Sequence, residues 1–123
     1  MNQPETEIAW RSDCPISSGL DLLGDKWSLL IIRDLVVHHT RTFSDFRNAA
    51  EGIATNILSV RLKQLSHLGL IERVDPGRAA RGNAYRLTER GAALEPALAE
   101  LLKWAQTHLA DLHPTMHEDA RIS

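Results

Sequence analysis

Apolar positions recur at helical spacing along most of the chain and give way once to short β-branched runs. In "IATNILSVRLKQLSHLGLIERV", residues 53–74, Leu58, Leu62 and Leu65 fall within about 60° of one another when residues are placed at 100° intervals. They predict the buried stripe of a helix that starts near Ala54 or Thr55 and ends at Gly69, a residue suited to the left-handed helix stop. Upstream, Pro15 suits the first turn of a helix through Leu23, Gly24 ends it, and Asp25 caps the next helix, "KWSLLIIRDLVV". There Trp27, Leu29, Leu30, Ile31, Ile32, Leu35 and Val36 surround most of the circumference, which predicts a buried central helix. A polar link, "HHTRT", precedes a short helix, "FSDFRNAA", with Phe43 and Phe46 spaced to face the core together, and Glu51-Gly52 makes the turn after it.

Ile71–Val74 and Ala84–Leu87 read as short strands flanking "DPGRAARGN", in which Pro76-Gly77 and Gly82-Asn83 supply turn chemistry. The result is a hairpin with a basic tip. Thr88-Glu89-Arg90-Gly91 punctuates, and Ala92–Leu109 resumes one helix with Leu94, Leu98, Leu101, Leu102, Ala105 and Leu109 on a broad stripe. The fold class expected is mainly α with a small β-hairpin (α+β). Residues 14–109 form one domain, preceded by a flexible segment at 1–13 and followed by a frayed tail at 110–123.

Composition narrows the classes available. With 123 residues, 43% hydrophobic and 24% charged, the chain has material for a single core. The longest apolar run falls short of the roughly 20 residues that cross a membrane, and "MNQPETEIAW" carries neither a basic region nor an apolar core for secretion, so a cytoplasmic protein with no membrane partner is expected. A single cysteine, Cys14, excludes an intrachain disulfide and a multi-cysteine zinc site, and leaves an intermolecular disulfide open. The net charge of -2 conceals an uneven distribution. Residues 54–90 hold seven Lys/Arg against three Asp/Glu, whereas the segments before and after are both acidic. Positive charge is concentrated on the helix at 55–69 and the hairpin behind it. Chance clustering on a solvated surface is the plain alternative.

The polar side of that helix is unusual in what it lacks. Asn56, Ser59, Val60, Lys63 and Gln64 lie opposite the leucine stripe, and no carboxylate occurs from Ile53 to Leu70. Short Thr, Asn and Ser side chains let a helix enter the major groove, and Lys63 adds a phosphate contact. In the hairpin, Arg78 and Arg81 suit phosphates or the minor groove. Helix, turn, helix and basic hairpin together predict a winged helix-turn-helix. The candidate DNA-binding residues are Thr55, Asn56, Ser59, Val60, Lys63, Arg78 and Arg81. A winged-helix protein-interaction module without sequence-specific DNA binding is the alternative reading.

Several blocks also carry a family resemblance. "CP" at Cys14-Pro15, "LLGDKWSLLIIRDL" at 22–35, "FSDF" at 43–46, "ILSVRLKQLSHLGLIER" at 57–73 and "YRLTERG" at 85–91, with Pro96 and Trp104, together resemble the HxlR-type winged helix-turn-helix transcription regulators. The resemblance runs from Cys14 to about Leu109. It implies a regulator that binds double-stranded promoter DNA at an inverted-repeat operator as a homodimer, with dimerisation elements in the N- and C-terminal helices. Some members of the family sense electrophiles, quinones or oxidants through a cysteine at this N-terminal position, which makes Cys14 the candidate redox sensor; a small-molecule effector at the dimer interface is the other route. Two positions depart from the family pattern. Ala54 stands where a hydroxyl residue usually caps the recognition helix, leaving Thr55 as the candidate cap, and Asn83-Ala84 replaces the usual Val-Glu pair before the Tyr.

The last helix offers more apolar residues than one contact with a small core needs. Leu98, Leu101, Leu102, Trp104, Ala105 and Leu109 are the candidate dimer interface, unless the stripe only completes the monomer core. Cys14 sits near a helix N-terminus, where amides and dipole favour the thiolate, although Asp13 opposes this. An inert, partly buried thiol is the competing reading. His108, His113 and His117 are spaced by five and four with Pro114 between, which does not put three imidazoles on one face, so no metal site is expected. The sequence holds no Gly-rich phosphate loop and no catalytic carboxylate pair, so neither an enzyme nor a cofactor is expected. Arg61, at the edge of the leucine stripe, is assigned either to a phosphate or to an internal pair with a carboxylate such as Asp45.

Overall fold

The computed structural model describes residues 8–78 and 82–116. Its elements are α1 (Pro15–Leu23), α2 (Lys26–His38), β1 (Arg41–Thr42), α3 (Phe43–Arg47), α4 (Thr55–His67), β2 (Ile71–Arg73), β3 (Ala84–Leu87), α5 (Glu89–Ala92) and α6 (Glu95–His108). The core lies where α2, α3, α4 and the sheet meet. Ile32, Leu35, Phe46, Leu58, Leu65 and Ile71 are almost wholly enclosed there, and the Phe46 and Tyr85 rings meet at 6.5 Å and 56°. The leucine stripe of α4 is buried as its spacing predicts: Leu58, Leu62 and Leu65 are inside, while Asn56, Ser59, Val60, Lys63 and Gln64 are exposed.

The short antiparallel sheet has the order β1-β3-β2, with Arg41 opposite Tyr85 and Glu72 opposite Arg86. The polar link at 38–42 therefore contains a strand that its composition does not disclose. Two residues carry no periodicity, and β1 exists because its backbone pairs with β3, far along the chain. Thr42 then caps α3, accepting from the Asp45 N–H at 3.2 Å while the Asp45 carboxylate accepts from the Thr42 N–H at 2.9 Å. That second bond, with smaller help from Thr42's hydroxyl and Arg41, holds the Asp45 carboxyl below its ordinary range. Asp45 is thus engaged in a capping box and is not the partner of Arg61.

The C-terminal helix is two helices. Thr88 caps α5, its hydroxyl accepting from the Gly91 N–H at 3.2 Å, and the chain turns at Ala93-Leu94 before α6 begins with Glu95-Pro96. Of the four residues expected to punctuate, Glu89, Arg90 and Gly91 form this extra turn of helix together with Ala92, and Thr88 caps it. A gap of two residues is too short to interrupt the apolar stripe, which is why periodicity alone merges the two helices.

Arg33 ties α2 to the turn before α4. Its guanidinium donates to both Glu51 oxygens, at 2.7 and 2.9 Å, and to the buried Asp34 at 2.6 Å. The Arg33 hydrogen bonds outweigh burial and hold the Glu51 carboxyl below its ordinary value. No helix among the described residues is long and apolar enough to cross a membrane.

Candidate nucleic-acid interface

α4 is held at both ends by elements that present it. At its C-terminus Gly69 has φ +74°, and Leu70 and Gly69 donate back to Leu65 and Ser66 at 3.0 and 3.1 Å, closing a Schellman stop. Two further carbonyls at this end are satisfied from the start of α5. The Thr88 hydroxyl donates to Gly69 O, and Arg90 Nη1 donates to Leu68 O at 2.9 Å. Gly91 permits this approach, since a Cβ there would overlap the Leu70 carbonyl. The "LTERG" segment therefore works as a clamp on the end of α4.

On the flank of α4, Arg61 Nε lies 3.1 Å from Asp25 Oδ1, an ion pair rather than an aligned hydrogen bond. The same carboxylate caps α2, accepting from the Ser28 N–H at 3.0 Å and from the Ser28 hydroxyl at 2.8 Å. Burial raises the Asp25 pKa, but the two Ser28 bonds and Arg61 together outweigh it and hold the carboxyl below 3.8. Of the two roles open to Arg61, the internal pair is the one present, and its carboxylate is Asp25 and not Asp45, which the sequence offers as one example. Periodicity within α4 does not disclose this pairing, because Asp25 lies far back along the chain at the start of α2.

The N-terminus of α4 differs from the expectation. Thr55 is the first helical residue and Ala54 occupies the cap position, where no side chain accepts from the first-turn amides. Thr55 does not replace the missing hydroxyl because the helix starts at it and not after it. No acidic residue lies in the first turn, so the positive end of the helix dipole meets no carboxylate there.

Beside α4 runs an open groove of about 950 Å³ between the helix pair and the hairpin, lined by Ser44, Arg47, Ser59, Lys63, Arg73 and Tyr85 among others. It brings α3, α4 and β2 to one surface. Ser59 and Lys63 were among the candidate residues. Ser44, Arg47 and Arg73 were not, and only the charge of the two arginines could have pointed to them. Thr55, Asn56 and Val60 are exposed on α4, and Arg78 is exposed in the hairpin; Arg81 lies outside the described residues.

The apolar stripe expected as a dimer face divides in two. Leu98 is buried in the monomer core, with Leu102 packed against it, because α6 lies on α2. Ala105 and Leu109 are half-buried, whereas Leu101 and Trp104 are half-exposed. Ile16 and Leu20 of α1 are more exposed still. Cys14 is exposed at the cap of α1, with its N–H donating to Ser12 Oγ at 3.2 Å. His108 and His113 form no metal-binding group with other described residues, and His117 lies outside them, as do residues 1–7 of the N-terminal segment and 117–123 of the tail.

A helix pair with a two-stranded wing beside its second helix defines the winged helix-turn-helix class of proteins. Residues 22–113 match the HxlR-like helix-turn-helix family, and the chain belongs to it. It is 40% identical over 91 residues to the HTH-type transcriptional regulator sll1512 of Synechocystis sp., covering 73% of this chain and 66% of that protein. It is 36% identical over 107 residues to the HTH-type transcriptional regulator YvaP of Bacillus subtilis, covering 85% and 91%. The chain spans just under two thirds of the Synechocystis relative and 58% of a Mycobacterium tuberculosis relative, MT3179. Among solved structures, the redox regulator HypR in its reduced form has a TM-score of 0.71 at 25% identity, covering 82% of this chain and 99% of that one. Quinone-bound YodB from B. subtilis has a TM-score of 0.61 at 29% identity, covering 76% and 98%. The curated relatives are named as HTH-type transcriptional regulators, and HypR as a redox regulator.

Proposed function

We propose that the protein is a transcription regulator that binds an inverted-repeat operator as a homodimer, with α4 in the major groove and the hairpin against the flanking backbone. The observation that carries this reading is the exposed side of α4. Thr55, Asn56, Ser59, Val60 and Lys63 form a surface free of carboxylates, on a helix whose opposite face is anchored by Leu58, Leu62 and Leu65. Asn56 and Ser59 are suited to base edges, and Lys63, Arg78 and Arg81 to phosphates. Arg47 and Arg73, which line the same groove, extend the phosphate track.

Binding to duplex DNA taken from the flanks of the protein's own gene tests the assignment. Lys63→Ala should weaken binding to all sequences and lessen the salt slope by about one unit. Asn56→Ala should relax base preference, with a loss of about 1–3 kcal/mol against the preferred site. Equal, sequence-independent effects from the two changes would sink the division of roles. Recovery of a protein partner with no duplex binding at low salt would instead favour an interaction module.

A regulatory role for Cys14 is supported by its exposure and by the likeness to HypR and YodB. In this reading an oxidant takes two electrons from a pair of Cys14 thiols, one from each subunit, and the disulfide that forms alters the spacing of the two α4 helices. Operator affinity is compared for reduced and diamide-treated protein and for Cys14→Ser, beside non-reducing gels. Unchanged affinity of the fully modified wild type would eliminate Cys14 as a sensor and leave a small ligand at the dimer interface as the candidate effector.

A further inference from the structure

We propose that Asn83 is the residue that positions the wing for DNA: its buried amide locks the turn that carries Arg78 and so sets where that cation falls along the duplex. The inference rests on the DNA-binding reading above. Asn83 is only 2% exposed, although Asp75, Pro76, Gly77, Arg78 and Gly82 around it all face solvent.

Its hydrogen bonds go to main chain. Nδ2 donates to the Asp75 carbonyl at 2.6 Å and to the Arg78 carbonyl at 3.4 Å, and Oδ1 accepts from the Asp75 N–H at 3.3 Å. Backbone pairing of the hairpin ends with the Val74 N–H donating to Ala84 O at 2.8 Å. Beyond that point the Asn83 side chain continues the ladder by one step, giving Asp75 both the donor and the acceptor that an opposed backbone would give. The turn thus held is closed by Arg78 N–H to Asp75 O at 3.0 Å and by Gly77 N–H to Asp75 Oδ1 at 3.2 Å. Arg73 Nη1 reaches the Arg78 carbonyl at 3.4 Å from the groove side.

The contact needs a donor and an acceptor together on one short side chain. Leucine would bury the Asp75 N–H and carbonyl unpaired, and aspartate would set lone pairs against two carbonyls. The core does not need the amide, since what it holds is the backbone of residues 75–78. A cation on a fixed turn is held at its phosphate and displaces a counterion there, whereas the same cation on a loose turn spends its time off that phosphate and the contact drops out of the salt slope.

The test is the salt dependence of duplex binding for wild type, Asn83→Leu, Arg78→Ala and the double variant, with circular dichroism reporting the folded fraction. Partial unfolding lowers the active concentration but does not change the slope, so the slope separates positioning from stability. Asn83→Leu and Arg78→Ala are each expected to lessen it by about one unit, and the double variant to lessen it no further than Arg78→Ala alone. Wild-type slope and affinity in Asn83→Leu would overturn the inference and leave the DNA-binding reading intact. Failure of the wild type to bind any duplex at low salt would overturn both. Hydrogen exchange on the wild type gives a check that no variant's folding can obscure. Slow exchange of the Asn83 side-chain amide is expected, and exchange at the rate of a solvated amide would overturn the lock.

Discussion

Replacing Asp25 by alanine removes the cap of α2, the bond to the Ser28 hydroxyl and the ion pair that holds the flank of α4. Loss of an N-cap, counted together with the companion bond to the Ser28 hydroxyl, costs about 1 kcal/mol. The ion pair adds little, because the Arg61 and Asp25 side chains are 29% and 33% exposed and solvent screens them, so about 0.5 kcal/mol is its share. The sum, about 1.5 kcal/mol, corresponds to a fall in Tm of roughly 6 °C for a domain of this size. Asparagine caps as well as aspartate but carries no charge, so Asp25→Asn should lose only the pair, about 0.5 kcal/mol or roughly 2 °C. Thermal melts followed by circular dichroism measure both. The folded-state pKa of Asp25 lies below 3.8, so its contribution is present above that pH and is lost as pH falls through the lower folded value. The gap between wild type and Asp25→Asn should therefore be full at pH 7 and close below pH 3.8. An asparagine variant as unstable as the alanine variant would refute the reasoning that the cap dominates, and a gap indifferent to acid would refute its assignment to the charge on Asp25.

Two further outcomes follow from particular contacts. Trp104 is 53% exposed on α6, so Trp104→Ala should shift the protein toward monomer in light scattering while its melting temperature at matched subunit state changes little; unfolding without dissociation would assign the ring to the monomer. Gly91→Ala should destabilise by more than about 2 kcal/mol in urea titration, because the methyl meets the Leu70 carbonyl at the point where α5 clamps α4, and a neutral result would show that the clamp gives way.

The two faces of α4 were legible in the sequence because they depend only on helical periodicity. Leucines at 58, 62 and 65 share a side in any α-helix, and so do the polar residues opposite them. The same holds for the enclosed α2, the stop at Gly69 and the hairpin, each written within a few neighbouring residues. What tertiary structure decided were the partnerships between distant segments. β1 is a strand only because Arg41 and Thr42 meet β3; Arg61 takes Asp25 and not Asp45 because α2 begins beside α4; and α5 separates from α6 where Thr88 and Arg90 reach the end of α4. The division of the last stripe belongs here too, since spacing put Leu98 and Trp104 in one apolar set and only the packing of α6 on α2 placed one inside and left the other half-exposed. Asn83 makes the same point at the wing. As a sequence it was one polar residue in a turn, and its role came from Asp75 and Arg78 closing around it, because its own chemistry sets what an amide can donate and accept while only the path of the backbone sets which groups it meets.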